Sequence, residues 1–124
     1  MPRLPMTLTI DGLSAEVVGL LDTGAAVSVM PYQTGVTLGA IWEEQTTAVP
    51  LVGSLGQVEA RALIVMASHP KITHNESVRL VFAWTQSDNV PLIFGQTNFF
   101  LEFDVCFYRS QNMFDVRLKN GTST

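Results

Sequence analysis

Almost every patterned segment of this chain reads as strand, from runs of apolar and β-branched residues broken by turn chemistry. Thr7-Leu8-Thr9-Ile10 runs into Asp11-Gly12, a two-residue hairpin signal, and the chain returns through Leu13 to Leu21. Val27-Ser28-Val29-Met30 is a short β-branched run stopped by Pro31. Thr34 to Gly39 holds two glycines and no periodicity, and reads as loop. Trp42 to Val52 and Gln57 to Met66 flank Gly53-Ser54-Leu55-Gly56, which predicts a hairpin with a flexible, exposed tip. A polar loop follows from Ser68 to Ser77, then a strand over Val78 to Trp84 and a turn at Ser87-Asp88-Asn89. Pro91 to Phe94 is a short apolar run that stops at Gly95. Thr97 to Phe103 spaces its phenylalanines as a helix does and predicts one short C-terminal helix, capped by Thr97 or Asn98. Val105 to Tyr108 and Met113 to Leu118 predict closing strands, with flexible ends at about 1–6 and 119–124. The expectation is a single all-β domain, residues 1–124, mainly β with that one helix.

Composition adds a partner to this picture. Hydrophobic residues make up 47% of the 124 residues and charged ones 15%, against roughly 25% charged in ordinary soluble proteins. A small domain this poor in charge is expected to cover part of its surface with another chain. The net charge of −4 and the singly scattered Lys and Arg leave no basic footprint for a phosphate backbone, so nucleic acid is excluded as a ligand class. Cys106 is the one cysteine, so no disulfide can form within the chain. Glu16 and Asp22 interrupt the most apolar stretch, short of the ~20 apolar residues of a membrane helix. Met1-Pro2-Arg3-Leu4-Pro5 lacks the apolar core of a signal peptide, so a cytoplasmic protein is expected if these are the native ends, and the location is open if the chain is an excised domain.

The candidate chemistry lies where Val17-Val18-Gly19-Leu20-Leu21 leads directly into Asp22-Thr23-Gly24. A carboxylate that follows so apolar a strand should be partly buried, which costs free energy unless the group is bonded or functional. Gly24 allows a tight bend and close approach of another group, and Thr23 offers a hydroxyl to a neighbouring loop. Taken alone, Asp-Xaa-Gly is common turn chemistry.

The flanks say more. Leu-Leu-Asp22-Thr23-Gly24-Ala25, followed by Val-Ser-Val-Met, resembles the active-site loop of the retropepsins, the dimeric aspartic proteases that include the retroviral enzymes. Leu51 to Val58 resembles their glycine-rich flap, and Leu92-Ile93-Phe94-Gly95 their late hydrophobic-hydrophobic-Gly segment. Asn98 to Val105 is similar to the equivalent stretch of bacterial retropepsin-like proteins. Each motif is weak by itself; their order and spacing over nearly the whole chain are specific. The resemblance implies a closed, β-barrel-like acid protease fold with one lobe per chain. It also implies a polypeptide substrate lying along Gly24, Ala25 and Ala26, with Gly53, Ser54 and Leu55 closing over it and Ile93 lining a side-chain pocket. The chain departs from retroviral members in carrying Ala26-Val27 and Gln96 where they have acidic residues and an Arg, and Phe94 where they have a smaller aliphatic residue.

Hydrolysis by this chemistry needs two carboxylates around one water, and this chain supplies one Asp-Thr-Gly. Asp88 and Asp104 lack the strand and Thr-Gly context. A two-fold homodimer, in which Asp22 meets its own copy, completes the pair, and the resemblance implies that Met113 to Leu118 contributes to an interface sheet of paired termini. The competing reading is a catalytically silent dimer of the same fold that binds peptides or mediates assembly.

Other chemistries fall away. His69 and His74 sit five apart in a polar loop with no Cys or paired carboxylate, so no metal is expected. Cys106 reads as a core strand residue. Gly53 to Gly56 lacks the Gly-Lys-Ser/Thr of a phosphate loop, Asn75-Glu76-Ser77 is a sequon without a secretory context, and no cofactor is expected.

Overall fold

The computed structural model describes residues 2–53, 56–73, 76–96, 103–108 and 113–119. The expected Asp-Gly hairpin is present: Asp11 (φ 46°) and Gly12 (φ 86°) both take positive φ, the backbone that a tight two-residue turn between twisted strands requires. It joins β1 (Arg3–Ile10) to β2 (Leu13–Leu21), paired from Ile10↔Leu13 to Arg3↔Leu20. Strand pairing thus begins at Arg3, earlier than expected, because Leu4 and Met6 continue the inward alternation that ends at Leu8; all three are buried.

After β3 (Ser28–Met30) the chain forms a helix, α1 (Tyr32–Thr37), where the sequence reads as loop. Six residues are under two turns, too short to show a period, and Pro31 at its N-cap supplies only a fixed φ of −67° and no side-chain bond. Packing fixes it instead: a Cβ on Gly35 would meet the Trp84 ring at 2.3 Å, so glycine there lets the helix lie against the indole. Residues 42–44, expected to open a strand, form a 3-10 turn around buried Trp42. β4 (Ala48–Gly53) then pairs with the long β5 (Gly56–Ser68) as the expected hairpin, and β6 (Val78–Thr85) pairs with β5 in turn. β7 (Ile93–Phe94) is the Leu92-to-Gly95 segment. Of the expected late helix, residues 97–102 lie outside the described residues, and Phe103 instead opens β8 (Phe103–Tyr108), which pairs with β9 (Met113–Leu118) in a separate two-stranded sheet.

The main sheet runs β1-β2-β7-β3-β6-β5-β4, and an additional pairing of β1 with β5 closes its first six strands into a barrel. Closure removes free edges and turns one face of every strand inward. That interior holds Leu8, Leu21, Met30, Leu80, Phe82 and Phe94, with the last two rings 6.1 Å apart. Next to it Trp84 stacks on Tyr32 at 5.6 Å and meets Trp42 edge-on at 5.3 Å. Of the described strands in the main sheet, β4 alone stands outside the closed ring, attached through β5. Among the described residues, no helix is long and apolar enough to cross a membrane.

Candidate active site

The site follows from one topological feature. β7 lies between β2 and β3, parallel to the first (Leu20↔Ile93, Leu21↔Phe94) and antiparallel to the second (Val29↔Ile93). Strands 2 and 3 are consecutive in sequence, so the segment joining them, Asp22 to Val27, must cross the end of β7. Inner strands paired on both sides are apolar, which is why Leu20-Leu21, Ile93-Phe94 and Val29 meet here.

The crossing is held by hydrogen bonds to the chain leaving β7. Asp22 N donates to the Phe94 carbonyl at 3.1 Å, and Gln96 N donates to the Ala25 carbonyl at 2.9 Å. The Gln96 side-chain amide donates to the Thr23 carbonyl. Gly95 N donates to the hydroxyl of fully buried Ser28 at 3.0 Å. Space is equally tight: a Cβ on Gly95 would stand 2.2 Å from the Val27 carbonyl oxygen and 3.0 Å from that of Ala25. Gly95 is therefore required by close approach of backbone, with no unusual dihedral needed.

Asp22 emerges from this frame half-buried, one residue after fully packed Leu21. Gly24 N donates to its Oδ1 at 2.9 Å and Ala25 N to its backbone carbonyl at 3.2 Å, a local turn that ties one carboxylate oxygen to the loop. Thr23, Gly24 and Ala26 are exposed and Ala25 is half-buried, so the loop offers its backbone to solvent beside the acid. Such a surface can receive an extended chain through main-chain bonds.

The remaining candidates are placed as follows. Ile93 is half-buried in β7, two residues before Gly95. Gly53 ends β4 opposite Gly56; Ser54 and Leu55 lie outside the described residues. Phe94, bulkier than in retroviral members, fills the barrel directly behind the loop against Phe82. His69 Nδ1 accepts from Lys71 N at 3.1 Å, a local loop bond, while His74 lies outside the described residues. Among the described residues no group of three or more His, Cys, Asp or Glu could hold a metal ion.

Two residues that hold the loop carry no role in the sequence reading. Ser28 had a signal: a lone hydroxyl in an apolar strand, at the same parity as inward Met30, needs a buried partner. Gln96 stood out only as a departure from an expected Arg, and its partner, the Thr23 carbonyl, carries no signature in sequence.

No protein-family model matches the chain, and comparison with curated proteins finds no match. Solved structures do match. A retropepsin-like aspartic protease from Rickettsia conorii superposes with a TM-score of 0.61 at 10% identity, covering 92% of this chain and 88% of that one. The EIAV protease complexed with the inhibitor HBY-793 superposes with a TM-score of 0.54 at 22% identity, covering 77% of this chain and 81% of that one. At these identities the likeness is one of fold. The chain has the retropepsin-like fold of the aspartic proteases.

Proposed function

We propose that this protein is an aspartic endopeptidase that works as a homodimer, with Asp22 of each chain forming the catalytic pair. The observation that carries the reading is the presentation of Asp22: half-buried at the end of a core strand, Oδ1 fixed by Gly24 N, in a loop bonded at several points to residues 94–96. The bond from Gly24 N is an Asx turn, and what favours acid–base chemistry is that this turn sits beside exposed backbone in a loop tied to the end of β7. The solved proteases of the same fold support it.

In this reading two Asp22 side chains face each other across the dimer axis. Like charges in contact do not both ionise, so the pair shares one proton, a property established for aspartic proteases generally. The ionised member takes a proton from a bound water as its oxygen attacks the scissile carbonyl carbon, and the protonated member donates to the carbonyl oxygen. Collapse of the tetrahedral intermediate breaks the C–N bond, and the proton taken from water passes to the leaving amine. Gly24, Ala25 and Ala26 hold the substrate backbone, Ile93 lines a side-chain pocket, and the tip of the β4–β5 hairpin, Gly53, Ser54 and Leu55, closes over the peptide. Thr23 supports the loop through its carbonyl.

Incubating the purified protein with a mixed peptide library between pH 4 and 7, beside Asp22→Asn, tests the reading. Cleavage by the wild type alone is expected. Absence of cleavage by the wild type throughout that range would leave a peptide-binding or assembly dimer as the better account.

A further inference from the structure

Arg61 stands where the β4–β5 hairpin leaves the barrel. From Ala60 onward β5 pairs with β6 on one side, with Arg61 opposite Trp84, while Arg61 also faces Ala48, the first residue of β4. Between Gly56 and Glu59, β5 has only β4 as a described neighbour. The hairpin thus projects from a root at Arg61, and the described backbone bond that closes the root is Ala62 N to the Thr47 carbonyl at 2.9 Å.

The Arg61 side chain reaches sideways from this root. Its guanidinium carbon lies 4.5 Å over the centroid of the Trp42 ring, and Nη1 donates to the Trp42 carbonyl at 2.7 Å. Nη2 lies 3.5 Å from Glu59, two residues up the same strand. Trp42 is itself buried against Trp84, so its ring is a fixed surface. A planar cation that stacks and donates at once is a geometry Arg can make and Lys cannot. The Arg61 side chain is 27% exposed and the Glu59 carboxylate beside it 63% exposed, so the Trp42 ring and carbonyl, more than the ion pair, hold it in place.

We propose that Arg61 is a positioning residue for the hairpin, a clamp on Trp42 that sets the angle from which β4–β5 closes over a bound peptide. The proposal rests on the reading of that hairpin as a flap. Arg61 touches neither substrate nor Asp22 in this account. It biases an equilibrium between hairpin positions, and peptide affinity falls in proportion to the fraction of hairpin in the closing position. Once the peptide is enclosed, the chemistry is unchanged.

Amide hydrogen exchange of the full chain, compared for wild type, Arg61→Ala and Arg61→Lys, reads the clamp without reference to activity. Arg61→Ala is expected to speed exchange over residues 48–53 and 57–60 about ten-fold, with β1 and β6 as in the wild type. Arg61→Lys, which keeps a donor and loses the planar stack, is expected to lie between. On a cleaved peptide, Arg61→Ala is expected to raise KM about ten-fold with kcat changed less than about two-fold. Hairpin exchange identical to wild type, or exchange sped equally through β1 and β6, would overturn the clamp. If Arg61→Ala does not fold, Arg61→Lys decides on the same exchange readout. A wild type that cleaves nothing removes the protease reading, while the exchange comparison still decides whether Arg61 holds the hairpin.

Discussion

The backbone amide of Gly95 donates to the buried hydroxyl of Ser28 at 3.0 Å, joining two residues 67 positions apart at the point where the Asp22 loop crosses β7. Replacing Ser28 by Ala leaves that N–H buried with no acceptor, which costs the full desolvation of the group, about 1–3 kcal/mol. Urea unfolding of Ser28→Ala should show a loss of that size at unchanged m-value. A loss under about 0.5 kcal/mol would mean the bond contributes nothing beyond its solvated alternative.

Gly95 itself admits no side chain without moving the loop. The obstruction is the Val27 carbonyl, backbone that cannot swing aside as a flexible side chain would. Gly95→Ala should destabilise by about 1–3 kcal/mol. Its effect on peptide cleavage should be larger, about a hundred-fold, since a shift near 1 Å at a catalytic group has that consequence. Comparison of kcat/KM with unfolding free energy checks this, and a variant as active as wild type would place Asp22 outside the reacting centre.

Gln96 separates orientation from stability. Its side-chain amide is exposed and donates to the Thr23 carbonyl, so Gln96→Ala should cost no more than about 1 kcal/mol in unfolding while lowering kcat. Equal loss in kcat and kcat/KM, with none in stability, is the cleanest outcome; unchanged kcat would show that the Thr23 tether is dispensable.

Gly35 gives a prediction whose sign decides between two principles. Helix propensity alone makes Gly35→Ala stabilising by about 1 kcal/mol. The Trp84 ring, locked by its Nε1 donating to the Tyr32 carbonyl at 3.0 Å and by stacking on Tyr32, stands where the new methyl must go. Overpacking of about 1–3 kcal/mol should win. Thermal unfolding followed by tryptophan emission is apt, because both tryptophans of the chain, Trp42 and Trp84, lie in this cluster.

The strands and hairpins were legible in the sequence wherever side-chain alternation and local turn chemistry determine structure, while closure into a barrel was implied by the family resemblance alone. Asp11-Gly12 and the hairpin at Gly53 to Gly56 announce themselves through residues that sit next to each other, and the strands at Val78 and Met113 through runs of β-branched and aromatic residues. The helix at Tyr32 did not, because it is held by a glycine facing a tryptophan 49 positions away, a tertiary contact with no periodic trace. The strand pattern around Trp42 gives way to a 3-10 turn for the same reason: burial of one large ring against Trp84 outweighs the β preference of its neighbours. In the candidate site, Asp22 and Ile93 were visible through motif order, whereas the partnership of Ser28 with Gly95 depends on which strands become neighbours.

The central claim is that one working site takes Asp22 from two chains, and subunit mixing tests it directly. Wild type and Asp22→Asn are unfolded together, refolded at fixed total concentration, and assayed on a cleaved peptide. A shared pair requires that only wild-type homodimers work, so an equal mixture should retain about a quarter of the activity. Retention of about half, or cleavage by Asp22→Asn alone, would contradict a catalytic pair built from two copies of Asp22.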